Sequence, residues 1–296
     1  MIRKTSIAAL IALLLIAAAC GGGEEPDSTA GNGDGAEEEE ASGLLADILQ
    51  RGELKVSTDP AYPPQSSLNE NGEMEGFDID VATEIATRLG VDVAWETPAW
   101  DSIIAGNWQG RWDMSVGSMT VTPEREEVLH FSPAYYYTPA AVAVHSDNTS
   151  ITDLETDLDG KTIGVCGGCT YEFFLDGSLN IPGEDIEFFV DDAEIKGYDT
   201  DSSAIQDLSL GDGIRLDAAI SALPTLQTAI DKDRPIKLVG DPVFYEPLAV
   251  AIDKESTSDP MPLVERVTEI VEEMHADGTL RELSMKWYGI DLTTKT

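Results

Sequence analysis

Apolar positions along this chain fall into three regimes. Residues Ile7 to Ala19 are almost all apolar, residues 21 to about 42 are almost all polar or small, and from Leu44 onward short apolar runs alternate with helical spacings. In this third regime the pattern predicts a short helix over Ala46 to Gln50, then a strand over Leu54 to Ser57. Asp59-Pro60-Ala61-Tyr62-Pro63-Pro64 reads as a loop at the end of that strand, because proline disrupts regular pairing. Gly72 and Gly76 punctuate a hairpin. Val81, Ala82, Ile85, Ala86 and Leu89 share one helical face within Phe77 to Leu89, and Gly90 follows as C-cap. A strand over Val91 to Trp95, a helix over Asp101 to Trp108 and a strand over Asp113 to Val116 complete a first α/β unit.

The theme then restarts. A strand over Lys161 to Val165 runs into a Gly-rich turn, and Thr170 to Leu175 open a helix. Ser202 to Leu210 make another helix, with Ser202 or Asp201 as N-cap. A strand over Leu216 to Ile220, a helix over Pro224 to Ile230 and a long amphipathic helix over Pro262 to His275 follow. Such alternation predicts an α/β fold with a largely parallel sheet. Asp199, Asp201 and Asp207 read most simply as a capped, solvated helix face.

The chain has 296 residues, 56 acids against 18 bases and a net charge of −38. Nucleic acid is excluded as a natural partner, since binding it needs clustered Lys and Arg. Solubility in a salty habitat accounts for the charge, and so does an acidic surface that attracts cationic ligands.

The first regime has the build of an export signal. Arg3 and Lys4 precede an apolar stretch shorter than the ~20 residues a bilayer needs, and Ala17, Ala18 and Ala19 lead into Cys20. This resembles a bacterial lipobox, with alanine at Ala17 where leucine is preferred. Residues 1–20 are thus expected to be a lipoprotein signal peptide and Cys20 the lipidated residue of a protein held on the outer membrane face or in the periplasm. Residues 21–42 carry eight acids and too little apolar surface to fold, so they read as an acidic tether.

The strongest chemical signal is Gly117-Ser118-Met119-Thr120-Val121-Thr122-Pro123-Glu124-Arg125, after the strand-like Trp112 to Val116. A strand ending in small and hydroxyl residues offers backbone N–H groups and hydroxyls, and Arg125 adds a planar fork. Together they suit a carboxylate.

With this run in place the chain resembles the bacterial extracellular solute-binding proteins of family 3, the receptors of polar amino-acid ABC importers. The resemblance also rests on Gly52 to Val56 with Asp59 and Tyr62-Pro63-Pro64, on Gly76-Phe77-Asp78-Ile79-Asp80, and on Trp100 to Ile104. It continues through Phe131 to Tyr136, Leu158 to Val165, Gly278-Thr279-Leu280 and Lys286-Trp287-Tyr288-Gly289, covering roughly residues 52 to 290. It implies a type II-like periplasmic-binding-protein fold, two α/β lobes joined by two crossing segments near Ala140 to Val144 and Leu248 to Ile252. Lobe 1 would comprise residues 43–142 and 243–296, and lobe 2 residues 143–242.

The resemblance also assigns a cleft. Arg125 would bind the ligand's carboxylate, with Thr120, Ser118 and Gly117 beside it. Tyr62 and Trp100 would wall the cleft, and Asp59 would meet the ligand's side chain or cap its own loop. Gln65 stands where an aromatic is common. In lobe 2, Gly168, Cys169 and Thr170 match the loop that holds the carboxylate at a helix start. Cys166 and Cys169 are expected to form a local disulfide in an exported chain, and no metal or other cofactor is expected. The family usually places an ammonium-binding Asp where this chain has Ala222. Either Asp59 or Glu246 replaces it, or the ligand is a betaine-like or cyclic compatible solute suited to an acid-poor second lobe. The function implied is ligand capture without chemistry, by a monomer that docks on a membrane permease. Two rivals remain at this point, a periplasmic enzyme of the cyclohexadienyl dehydratase kind on the same fold and a sensory domain working with a separate partner.

Overall fold

The computed structural model describes residues 41–295, so the expected signal peptide, Cys20 and all but the end of the tether lie outside the described residues. The first half runs α1 (Gly43–Arg51), β1 (Glu53–Ser57), β2 (Ala61–Tyr62), β3 (Ser66–Leu68), β4 (Met74–Glu75), α2 (Phe77–Leu89), β5 (Asp92–Glu96), α3 (Trp100–Ile104), β6 (Met114–Thr120), α4 (Pro123–Val128) and β7 (Leu129–Phe131). The second half runs β8 (Tyr136–His145), α5 (Leu154–Asp157), β9 (Thr162–Cys166), α6 (Thr170–Leu175), β10 (Glu194–Tyr198), α7 (Asp201–Leu208), β11 (Ala218–Ala222), α8 (Leu223–Asp231), β12 (Ile236–Asp253), α9 (Met261–Ala276) and α10 (Thr279–Tyr288).

A nine-stranded sheet has the order β10-β9-β11-β8-β12-β6-β1-β5, with β7 pairing off the path to β12. Its two flanks are parallel: β1 with β5 and β6, and β9 with β10 and β11. The middle is antiparallel, since β8 and β12 pair with each other and with β11 and β6. The two segments expected to cross between lobes are therefore the two longest strands, of 10 and 18 residues, and their register slips between Val239 and Phe244.

Side-chain alternation divides the apolar core. Along β8, Ala140, Val142 and Val144 enter a cluster with Ile163, Val165, Tyr171 and Phe174, while Ala141 and Ala143 face Ile205, Leu208 and Leu226. A strand covered on both faces reads as continuously apolar, as Ala140 to Val144 do. A separate cluster joins α1, α2, α9 and α10 around Val56, Phe77, Met114, Val250 and Ile270. The two-lobed α/β fold expected from the resemblance is thus the fold observed, with a mixed rather than largely parallel sheet.

Two local expectations shift and a third holds. The helix expected over Asp101 to Trp108 stops at Ile104, because Gly106 and Asn107 take φ of 65° and 51° and turn the chain so that Trp108 is buried. The N-cap of α7 is Thr200, whose hydroxyl accepts from the Ser203 N–H at 3.2 Å, rather than Ser202 or Asp201. The hairpin forms as β3 and β4, and Gly76 closes it at φ 139°. A Cβ there would meet the Gln65 carbonyl oxygen at 2.1 Å.

Candidate functional site

The C-terminal end of β6 opens into a cavity. Thr122 and Pro123 start α4, with the Thr122 hydroxyl accepting from the Arg125 N–H, and this turns the Arg125 side chain back beneath the strand. Arg125 is buried, 5% exposed. Its Nη1 donates to the Thr120 carbonyl at 2.8 Å and its Nη2 to the Gly168 carbonyl at 3.1 Å, while its Nε has no acceptor among the described residues. Burial lowers its pKa to about 10, which still leaves it charged at neutral pH, and Glu246 opposes the shift. It is therefore no surface ion pair of Glu124 or Glu126.

Around Arg125 lies a cavity of about 40 Å³, lined by Asp59, Tyr62, Trp100, Gly117, Ser118 and Thr120 from the first half of the chain. Cys166, Cys169, Thr170, Tyr171, Asp201 and Glu246 line the other side. Of the residues expected at the cleft, only Gly168 is not on this wall. Its N–H donates to Glu172 at 2.6 Å, and its carbonyl accepts from Arg125 and, at 3.3 Å, from the Trp100 indole N–H. Trp100 is half-buried with the Arg125 guanidinium 5.2 Å from its ring centroid, so it belongs to the cleft wall as well as to an apolar cluster.

Further bonds cross the cleft. The Tyr62 and Tyr171 hydroxyls share one at 3.2 Å, Ser202 donates to the Ala61 carbonyl at 2.6 Å, and Thr225 donates to the Gln65 side chain at 3.2 Å. Gln65 is thus spent on α8 and does not line the cavity. Asp59 caps its own loop, accepting from the Ala61 N–H at 2.7 Å, and it also lines the cavity.

Ser118 stands at φ 54°. Its N–H donates to Tyr135, and its hydroxyl donates to Asp78 at 2.7 Å and contacts Tyr136. Asp78 is fully buried, and burial raises its pKa to about 7 despite hydrogen bonds from Tyr135 and Ser118.

Two further acids matter: Glu246, expected only as a replacement for the acid missing at Ala222, and Asp201, which was not expected in the cleft. Glu246 on β12 accepts from Thr120 at 2.8 Å and from Thr170, and burial raises its pKa against those donors, Tyr171 and Arg125. Asp201, expected on a solvated face, is instead 5% exposed and turned into the cavity, where Ser221 donates to it. Burial raises its pKa to about 7, and the charges of Asp59 and Glu246 push the same way. The fold explains the correction: α7 packs against β9 and β11, so its first residue points inward. Periodicity missed this because Asp201 is a polar residue on the buried side. The second half of the cleft is therefore not acid-poor, which removes the argument for a betaine-like solute.

Cys166 and Cys169 are disulfide-bonded, with Cα atoms 5.4 Å apart. Their sulfurs lie within 4.8 Å of an Asp201 carboxylate oxygen, but bonded to each other they present no thiolate to a metal.

Residues 54–290 match the bacterial extracellular solute-binding proteins, family 3. The chain belongs to this family. The L-cystine-binding protein TcyJ of Escherichia coli strain K12 is 30% identical over 252 residues, covering 85% of this chain and 88% of that protein. An ancestral arginine-binding protein solved with arginine aligns with a TM-score of 0.69 at 32% identity, over 81% of this chain and 99% of that one. The ancestral amino acid-binding protein AncCDT-1, a precursor of cyclohexadienyl dehydratase, aligns with a TM-score of 0.70 at 30% identity, over 82% and 99%. Among the described residues no helix is long and apolar enough to cross a membrane.

Proposed function

We propose that this chain is the substrate-capturing subunit of an ABC importer, taking an α-amino acid between two lobes and passing it to a membrane permease without chemical change. The observation that carries this reading is Arg125. It is buried and charged, lines the cavity and contacts both sides of the cleft, and its Nε has no acceptor among the described residues. A buried donor on a charged group calls for an anionic partner, and a carboxylate fits the fork bidentately.

In this reading Arg125 and Thr120 hold the ligand's carboxylate, and Gly117 and Ser118 shape the same floor. Tyr62 and Trp100 wall the ligand, and Cys169, Thr170 and the carbonyl of Gly168 close over it from lobe 2. Lobe 1 comprises residues 43–142 and 243–296 and lobe 2 residues 143–242; the separate apolar clusters support two lobes, with Ala140, Ala141, Val142 and Phe244 of the crossing strands packing on the lobe 2 side. β8 and β12 serve as hinges, and closure is favoured by any ligand that touches both lobes. Cys20 carries the lipid that keeps the monomer at the outer face of the cell membrane.

The likeness to a dehydratase precursor motivates one control. The capture reading expects no turnover of prephenate or arogenate by the purified chain, and measurable turnover of either would replace it with the enzyme reading. The main test is a thermal-shift screen of residues 43–296 against the proteinogenic amino acids, L-cystine, ectoine and glycine betaine. A ligand at ~100 times its dissociation constant adds about 2.7 kcal/mol of stability, roughly 5–10 °C for a body of this size. A shift with α-amino acids supports the reading. A shift confined to ectoine or betaine, or none, overturns it.

A further inference from the structure

Ser118 holds a left-handed backbone, φ 54°, at the floor of the cavity. An L-residue keeps this conformation only where its surroundings fix it. The sheet does not fix it. Along β6, Ser115 pairs with Ser57 and Ala251, and Met119 and Thr120 pair with Ala249 and Leu248, but the register gives Gly117 and Ser118 no strand partner. Side chains behind the floor hold Ser118 instead. Its N–H donates to the Tyr135 hydroxyl at 3.1 Å, and that hydroxyl donates to Asp78 Oδ1 at 2.7 Å. The Ser118 hydroxyl donates to Asp78 Oδ2 at 2.7 Å and contacts Tyr136. Asp78 therefore closes a ring in which both its oxygens accept. Only an ionised carboxylate can do this, since an amide or a protonated acid would present a donor to one of the two hydroxyls.

The ring is deep in the first lobe. Asp78 is fully buried in the first turn of α2, and its own N–H donates to the Gln65 carbonyl at 2.9 Å. Its titratable neighbours are Tyr135, Tyr136 and Tyr288, and Asp59 is a like charge. Among the described residues no Lys or Arg hydrogen-bonds to it. A buried carboxylate served by hydroxyls alone is costly. What it secures lies on the other side of the peptide. A trans peptide points its N–H and its C=O in opposite directions. With the Ser118 N–H aimed back at Tyr135, the Gly117 carbonyl is aimed forward, and Gly117 lines the cavity.

We propose that Asp78 is a positioning residue for ligand capture: through Tyr135 and Ser118 it holds the Gly117–Ser118 peptide with its carbonyl turned into the cavity, where that carbonyl accepts from the ligand's ammonium group. The hydrogen bonds run in series from the Asp78 charge through the Tyr135 hydroxyl to the peptide, and each polarises the next. The carbonyl is thereby a stronger acceptor for a cation than an isolated one. Asp78 does not itself line the cavity. The inference rests on the amino-acid reading above and adds a residue behind that site.

Calorimetry with the proteinogenic amino acids and L-cystine tests it at pH 8, where Asp78, with a pKa of about 7, is charged. The tightest binder is then paired with its des-amino carboxylate, measured by competition. Asp78→Asn is expected to weaken the amino acid by about tenfold or more, the size of a hydrogen bond to a charged group, and the des-amino carboxylate by about threefold or less. Tyr135→Phe keeps the ring and removes the hydroxyl that links Asp78 to Ser118. It is expected to act in the same direction, and it decides the matter where a thermal melt shows that Asp78→Asn does not fold. Equal weakening of both ligands by a folded variant marks a structural role alone and overturns the proposal. Unchanged affinity for the amino acid overturns it too, and the receptor reading survives both outcomes. Binding of no amino acid by the parent chain overturns the receptor reading and the inference with it.

Discussion

At the scale of single residues, Arg125 and Asp78 dominate, one for the ligand and one for the fold. Arg125→Gln removes the charge and the fork while keeping most of the volume. Glu246 then loses its opposing charge, and a bound carboxylate loses its charge-assisted donors. The expected outcome is at least about 30-fold weaker binding of any carboxylate ligand, on the order of 2–5 kcal/mol, read by calorimetry. Arg125→Lys should fall between, because a point charge cannot hold two oxygens as the fork does. Asp78 and Asp201 make a different prediction. Both have pKa values raised by burial from 3.8 to about 7 in the folded chain. Between those values the folded state binds more protons than the unfolded state, so stability falls as pH rises. Their contribution is fully present below about pH 4 and is lost as pH climbs through about 7. The surface carboxyls that hydrogen bonds hold low, such as Asp277 at about 2, act only at more acidic pH. The ligand-free chain should therefore melt several degrees higher at pH 5 than at pH 8 in high salt. Asp78→Asn should flatten that slope, and a slope unchanged in this variant would remove Asp78 from the account.

At the scale of elements, the turn between β9 and α6 concentrates the cleft's architecture. The disulfide spans a short loop whose Gly168 sits at φ 69° and reaches Trp100 and Arg125 with its carbonyl. A Cβ on Gly168 would lie 3.2 Å from the Ile104 side chain and would hold a left-handed backbone, at a cost of about 1–2 kcal/mol. Gly168→Ala should weaken closure and ligand affinity together. Replacing both Cys166 and Cys169 by Ser frees a four-residue loop, which in the chain-entropy view costs about 2 kcal/mol, or about 4–8 °C of melting temperature. A double variant that melts like the parent would mean that the loop is held by its other bonds. Elements with a one-sided apolar pattern were legible from the sequence, so α2, α6, α9 and the Arg125 run stand where periodicity and capping put them. β10 was not legible, because Glu194-Ile195-Lys196-Gly197-Tyr198 is an edge strand with no buried face to mark it. Asp201 was misread for the converse reason, since a polar residue turned inward looks from the sequence like one turned outward.

At the scale of the whole molecule, the 56 acids and 18 bases leave charge that internal pairing cannot neutralise. Two accounts of that surplus predict different measurements. Self-repulsion among surface carboxylates destabilises the compact state, and salt shortens its range from ~10 Å at 0.1 M to ~3 Å at 1 M. The melting temperature of the ligand-free chain should then rise by several degrees between 0.05 and 2 M sodium chloride, most steeply at pH 8. If the surface also draws cationic ligands to an acid-lined cleft, the association rate of arginine must fall as salt rises, while that of glutamine stays nearly flat. Stopped-flow tryptophan fluorescence can follow both, because Trp100 lines the cleft. A melting temperature that rises with equal salt dependence of the two rates would assign the charge to stability and solubility alone. A selective fall for arginine would join the surface to the cleft, with one sign of charge drawing the ligand to the chamber that Asp59, Asp101 and Asp199 line.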